Sequence, residues 1–229
     1  MIVLVGIALT PWMLAALGVA ALLIFLILFA LFEPGMRLSL AISRAIDWVN
    51  ESIGKLAAWA ILAAILVSAA NAVVRKAFNY SSNAYLEMQW YLFGVAFLLA
   101  AAYTLKQNEH IRVDIVYGMF RRRGQHWIDL LGHILFLMPF VALMVYYFGP
   151  WFLRAYNSGE VSSASGGLPL WPAKLLLLIG FIQLFAQGLS EIVKKIAIMR
   201  GKMDDPNPFI SAHKAAEEEG KALAQELRT

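Results

Sequence analysis

The chain has 229 residues, of which 61% are apolar or aromatic and 15% charged. A soluble domain averages about 45–50% apolar and about 25% charged, so this composition argues against a water-coated enzyme and against global disorder. The net charge of +4 sits in clusters between apolar runs, a pattern of membrane orientation rather than nucleic-acid binding, and the absence of cysteine removes disulfides, thiol nucleophiles and thiolate metal sites.

Five stretches are free of charge: 1–32 (densest over 12–32), 56–74, 88–105, 130–153 and 175–190. A hydrocarbon core about 30 Å thick needs about 20 apolar helical residues. Four runs meet that length, and the fifth meets it if Lys174 snorkels to the interface. The runs are continuous rather than alternating and too long for barrel strands. The expected fold is therefore all-α and polytopic.

The first run divides off as an extra N-terminal transmembrane helix over 1–33. No positive segment opens it, which disfavours a cleaved secretory signal; the alternative is translation from Met36. Segment 34–55 follows. Leu38, Ile42, Ala45, Ile46, Val49 and Ile53 recur at helical spacing, with Ser43, Arg44, Asp47, Asn50 and Glu51 opposite. This pattern predicts an amphipathic helix lying in the headgroup layer, its polar face wet; a connector packed on protein is the alternative. Residues 56–200 hold the other four runs, and 201–229, with Pro206, Pro208 and the acidic run 217–219, reads as a solvated tail.

Orientation follows from lysine and arginine. Segments 33–55, 106–129 and the tail after residue 190 carry 3, 5 and 7 of them, against 2 each for 75–87 and 154–174. Positive loops stay in the cytoplasm, which places the C-terminus inside and the two poorer loops outside.

Chemistry is sparse. No phosphate-binding, dinucleotide, zinc-protease or nucleophile-elbow motif occurs. His110 and Asp114 stand four apart with no third ligand nearby, so hydrogen bonding within a loop outweighs a metal site. His133 is a lone histidine on an apolar helix. No cofactor is expected. Glu87 and Lys174 stand at the outer mouths of their spans, not at the midplane, and no inverted repeat is visible, so the chain is ill-equipped to move solute alone. Arg75 or Lys174 is the expected ion partner of Glu87. Glu87, Trp90, Tyr91, Gly94, Leu98 and Ala101 share one helix face, a candidate packing seam, and the alanines of 57–72 permit close helix approach.

Three motifs together resemble one family. They are Asn71-Ala72-Val73-Val74-Arg75-Lys76-Ala77-Phe78; Glu87-Met88-Gln89-Trp90-Tyr91-Leu92 with the later Ala101-Ala102-Tyr103-Thr104-Leu105 and Asn108-Glu109-His110-Ile111-Arg112-Val113-Asp114; and Gly167-Leu168-Pro169-Leu170-Trp171-Pro172-Ala173-Lys174 with the later Gly180-Phe181 and Gln187. Over about 40–200 the chain resembles the small membrane subunit (DctQ type) of TRAP transporters, in the branch labelled mannitol/chloroaromatic. The resemblance implies a four-helix small-permease domain. It also implies a large elevator-type membrane subunit (DctM type) coupled to sodium, a periplasmic substrate-binding protein (DctP type) delivering an organic acid, and a scaffolding role in the bacterial inner membrane. The residues it marks as structural or partner-interface are Arg75, Glu87, Trp90, His110, Arg112, Asp114, Gly167, Leu168, Pro169, Trp171 and Lys174. The family pattern has no counterpart to 1–32. The competing class is a membrane anchor subunit of a quinone-linked oxidoreductase, which would need facing histidine pairs for haem.

Overall fold

Helix dominates the computed structural model, which describes residues 3–4, 7–8, 18, 20–21, 24, 28–29, 32–80, 82–107 and 117–206. At the start, β1 (Val3–Leu4) pairs antiparallel with β2 (Ile7–Ala8). The expected helix over 1–33 therefore does not extend through these residues, though Gly18, Ala20, Ala21, Ile24, Leu28 and Phe29 are helical. Continuous hydropathy measures apolarity and does not by itself select helix over a short local pairing.

Four long helical rods follow, each long and apolar enough to cross a membrane. The first is α1, Glu33–Phe78, 46 residues without interruption. Pro34 stands in its first turn, where a missing N–H costs nothing. Asn79 closes it in the left-handed conformation (φ 50°), with Arg75 and Lys76 in the last turn facing the negative end of the dipole. The expected division between 34–55 and 56–200 is thus no break in the chain. Charge ends the apolar run at Lys55, but the i,i+4 pair Lys55–Glu51 (2.6 Å) supports helix there. A rod of 46 residues is about 69 Å long, more than twice the hydrocarbon thickness.

Helix α2 (Asn83–Gln107) returns beside α1 and packs on it most extensively. Gly54 makes that approach possible, since a Cβ there would lie 2.6 Å from the Cβ of Tyr103. Of the alanines in 57–72, only Ala57 and Ala64 are buried.

The third rod, Arg122–Ser158, comprises α3 (Arg122–Gly132), a π-turn (His133–Leu137) and α4 (Met138–Ser158). The π-turn lies just ahead of Pro139, whose ring cannot donate to the carbonyl four residues back and crowds it. Widening the preceding turn relieves that clash. Helix α5 (Trp171–Met199) is the hub, touching α1, α2, α3 and α4. Met36, Leu130, Met138, Ile192, Ile196 and Ala197 form the core where α1, α3, α4 and α5 meet.

Candidate functional site

Two polar stations lie at opposite ends of the bundle. The first gathers the loop after α4 onto the start of α2. Leu170 N–H donates to the carbonyl of Glu160 at 2.9 Å, and Ser162 N–H to that of Leu168 at 3.0 Å, so residues 160–170 fold back on themselves. Gly167 permits the fold, since a Cβ there would lie 2.6 Å from the Cβ of Ser162. Glu87 clamps the result: one carboxylate oxygen accepts the Leu168 N–H at 2.6 Å and the other accepts the Ser162 hydroxyl. The Tyr91 hydroxyl donates to the Pro169 carbonyl at 2.8 Å, and the Asn83 amide to the Ser165 carbonyl at 3.1 Å.

Lys174 belongs to the same station through other partners. Its ammonium pairs with Glu160 at 2.5 Å and sits 4.4 Å from the ring centre of Trp151. Trp171, one turn earlier, meets Tyr156 edge-on. The expected ion pairing of Glu87 with Arg75 or Lys174 is therefore replaced by a hydroxyl and a backbone amide. Lys174 finds a nearer carboxylate in Glu160, while Arg75 stands exposed on the last turn of α1. Gly167, Leu168, Pro169, Trp171, Lys174 and Glu87 come together. Trp90 does not: it is 74% exposed and faces away from the seam shared by Glu87, Tyr91 and Leu98. His110, Arg112 and Asp114 lie outside the described residues.

The second station joins α1 to α5. Asn50 donates to Gln187 at 2.8 Å, and the Gln187 amide donates to Asp47 and Glu191, both at 2.8 Å. Ser190 donates to Asp47 at 2.9 Å. Lys194 closes the network at 3.0 Å from Asp47 and 2.6 Å from Glu191. Gln187 is fully buried, and Asn50 and Ser190 nearly so. Nearby, Lys195 pairs with Asp129 at 2.8 Å, and Lys106 reaches Glu51 at 2.5 Å from α2. A network this fully bonded rigidifies a junction; with Lys194 bridging its two carboxylates it is an occupied lock rather than an open cation site.

This station reverses the reading of 34–55. The centre of that segment's polar face is not wet: Ser39, Ser43 and Asn50 are buried against the rest of the bundle, while Arg44 stays exposed. Leu38, Ile42 and Val49 face outward, each more than two-fifths exposed. In a bilayer it is polar groups that gain from being buried in protein, so the amphipathic helix turns its polar side to its neighbour. Ser190, Glu191 and Lys194 escaped the sequence reading, and Gln187 entered it only as the end of a family motif, yet a signal exists. They fall at helical spacing on α5, as Ser43, Asp47 and Asn50 do on α1, and two such stripes match face to face.

One turn from Gln187, Gln183 is buried with neither amide atom hydrogen-bonded. Among the described residues, no group of three or more histidines and carboxylates could hold a metal ion.

The family model described as "DctQ: Tripartite ATP-independent periplasmic transporters, DctQ component" matches residues 64–197. No curated protein and no solved structure matches the chain.

Proposed function

The chain belongs to the DctQ family, the small membrane component of tripartite ATP-independent periplasmic transporters, and from that premise we propose that it is the non-transporting scaffold of a sodium-coupled, binding-protein-dependent uptake system. Its partners are a large membrane subunit of DctM type and a periplasmic binding protein of DctP type. The solute is an organic acid or a related small molecule, and the motif wording leans to the mannitol/chloroaromatic-labelled branch. The protein sits in the bacterial inner membrane with its C-terminus in the cytoplasm, as the 3, 5, 7 against 2, 2 charge count favours.

The observation that carries this reading is the charge-free middle of all four spans. No charged residue lies between Lys55 and Arg75, Glu87 and Lys106, Asp129 and Arg154, or Lys174 and Glu191. Solute pathways across membranes need such groups or broken helices near the midplane. Instead α1 runs unbroken and is fixed to α5 by the Asp47–Lys194 lock. That suits a stationary wall against which an elevator-type partner slides. Trp59, Trp90 and Phe97, all exposed on α1 and α2, offer it apolar surface. The Glu87-clamped loop, at the end of the bundle assigned to the periplasm, suits docking of the binding protein.

The competing anchor of a quinone-linked oxidoreductase fares worse. His126 and His133 lie two turns apart on one helical rod, so they cannot face each other across a haem.

Reconstitution tests the proposal. Vesicles holding the large subunit, this chain and the binding protein should take up solute on a sodium gradient. Omitting this chain should abolish uptake, and this chain alone should match empty vesicles. Uptake by this chain alone, or full uptake without it, would overturn the scaffold role.

A further inference from the structure

The end of the bundle where α1 begins and α5 finishes holds more cations than its carboxylates neutralise. Lys194 is held by Asp47 and Glu191, Lys195 by Asp129, and Lys202 by Glu33 at 2.8 Å. Arg121, Arg122 and Arg123, at the head of α3, have no carboxylate within ion-pair distance among the described residues. Arg200 follows the last turn of α5, within electrostatic reach of Glu33, so the surplus lies with the three arginines of α3.

Between the start of α3 and the end of α5 runs a groove of about 560 Å³. Arg123 and Arg200 line one end of it, and Leu130, Leu131, Ile134 and Ile196 line the remainder. At 1.5 Å per residue, Ile134 lies about 16 Å beyond Arg123 along the rod, so the groove is cationic at its end and apolar toward the membrane interior. It opens sideways, because Leu131 and Trp127 are both about half exposed. Trp127, also in its lining, has the amphipathic ring favoured at headgroup level.

We propose that this groove binds one anionic phospholipid, with its phosphodiester between Arg123 and Arg200 and an acyl chain along Leu131 and Ile134. Guanidinium forks match phosphate oxygens two at a time, and basic pockets between spans on the cytoplasmic side suit acidic headgroups. The apolar walls add a requirement that free phosphate cannot meet. Surplus positive charge favours a lipid with net negative charge over a zwitterionic one. A second groove of similar size, lined by Arg37, Arg44, Lys194 and Lys202, fits less well: Asp47 lies in its own wall, and Glu33 pairs with Lys202. The proposal rests on the membrane setting of the helices and not on the transporter role.

Native mass spectrometry of the full-length chain in detergent tests it, with phosphatidylglycerol and phosphatidylcholine of matched chain length as probes. Phosphatidylglycerol should be retained about tenfold more strongly, in proportion to a hydrogen bond between charged groups. Arg123→Gln with Arg200→Gln should bring retention down to the phosphatidylcholine level. Leu131→Trp, which removes no charge, should fill the groove and do the same, and it keeps the test decisive if the double variant fails to fold. Arg44→Gln should leave retention unchanged, and inorganic phosphate should neither bind nor displace the lipid. Equal retention of the two lipids, indifference to both the arginine and Leu131 changes, an equal loss in Arg44→Gln, or binding of phosphate alone would each overturn the proposal.

Discussion

The side-chain amide of Asn50 donates to Gln187 at 2.8 Å, tying α1 to α5 across 137 positions of sequence. Around that bond, two carboxylates, a lysine and a serine close a network with little access to solvent. The bond therefore marks where the long first helix is fixed to the hub of the bundle.

Removing Gln187 strands several groups at once. Gln187→Leu should destabilise the purified chain by about 1–3 kcal/mol, the cost of leaving buried polar partners unmade. Asp47→Ala should fall at or below the low end of the about 3–5 kcal/mol for breaking a buried pair, because Glu191 still holds Lys194. Asn50→Leu combined with Gln187→Leu should cost less than the two singly, as residues in one network do. Thermal melting in detergent checks all three, and additive losses would dissolve the network.

The clamp at the other end makes a different demand. Glu87→Ala should release residues 160–170, read as faster hydrogen exchange at the Leu168 amide and earlier proteolysis in the loop. Glu87→Gln should have a smaller effect, because its remaining carbonyl still accepts one donor. Double changes with Arg75→Ala should be additive, since Arg75 takes no part. Coupling between Glu87 and Arg75 in a double-mutant cycle would contradict the hydroxyl-and-amide assignment.

Gln183 carries an unpaired amide in a buried position. Replacing it by leucine removes that unmet demand, so Gln183→Leu should raise the melting temperature of the isolated chain, by an amount equivalent to about 1 kcal/mol or more. A drop in melting temperature would mean that the amide is satisfied after all.

Spin labels distinguish the two faces of 34–55. Labels at Leu38 and Ile42 should be mobile and lipid-accessible, while labels at Ser43 and Asn50 should be immobilised and shielded from both water and lipid. Reporter fusions after residues 80 and 160 should fall on one side, opposite to fusions after 118 and 200, because Asn83 and Ser165 are within hydrogen-bond distance. Water-exposed labels at Ser43, or opposite signals at 80 and 160, would break the arrangement described.

Charge-free length read along the chain located four of the five expected spans: the runs at 56–74, 88–105, 130–153 and 175–190 fall within the four long rods, whereas the first run opens on a short strand pair. Charge-free length is a local property, and lipid imposes it residue by residue. The sequence also brought out the Glu87 and Gly167–Lys174 motifs that prove to meet in one station. Which face of 34–55 is buried could be read only from the packed bundle, because an amphipathic pattern states that two faces differ and not which one meets water. That choice is made by Gln187, Ser190 and Lys194 on a helix more than a hundred residues away. The partner of Glu87 was equally out of reach. Charge alone nominated Arg75 and Lys174, but the fold of 160–170 brings a hydroxyl and a backbone amide closer, and a backbone amide leaves no mark in the sequence.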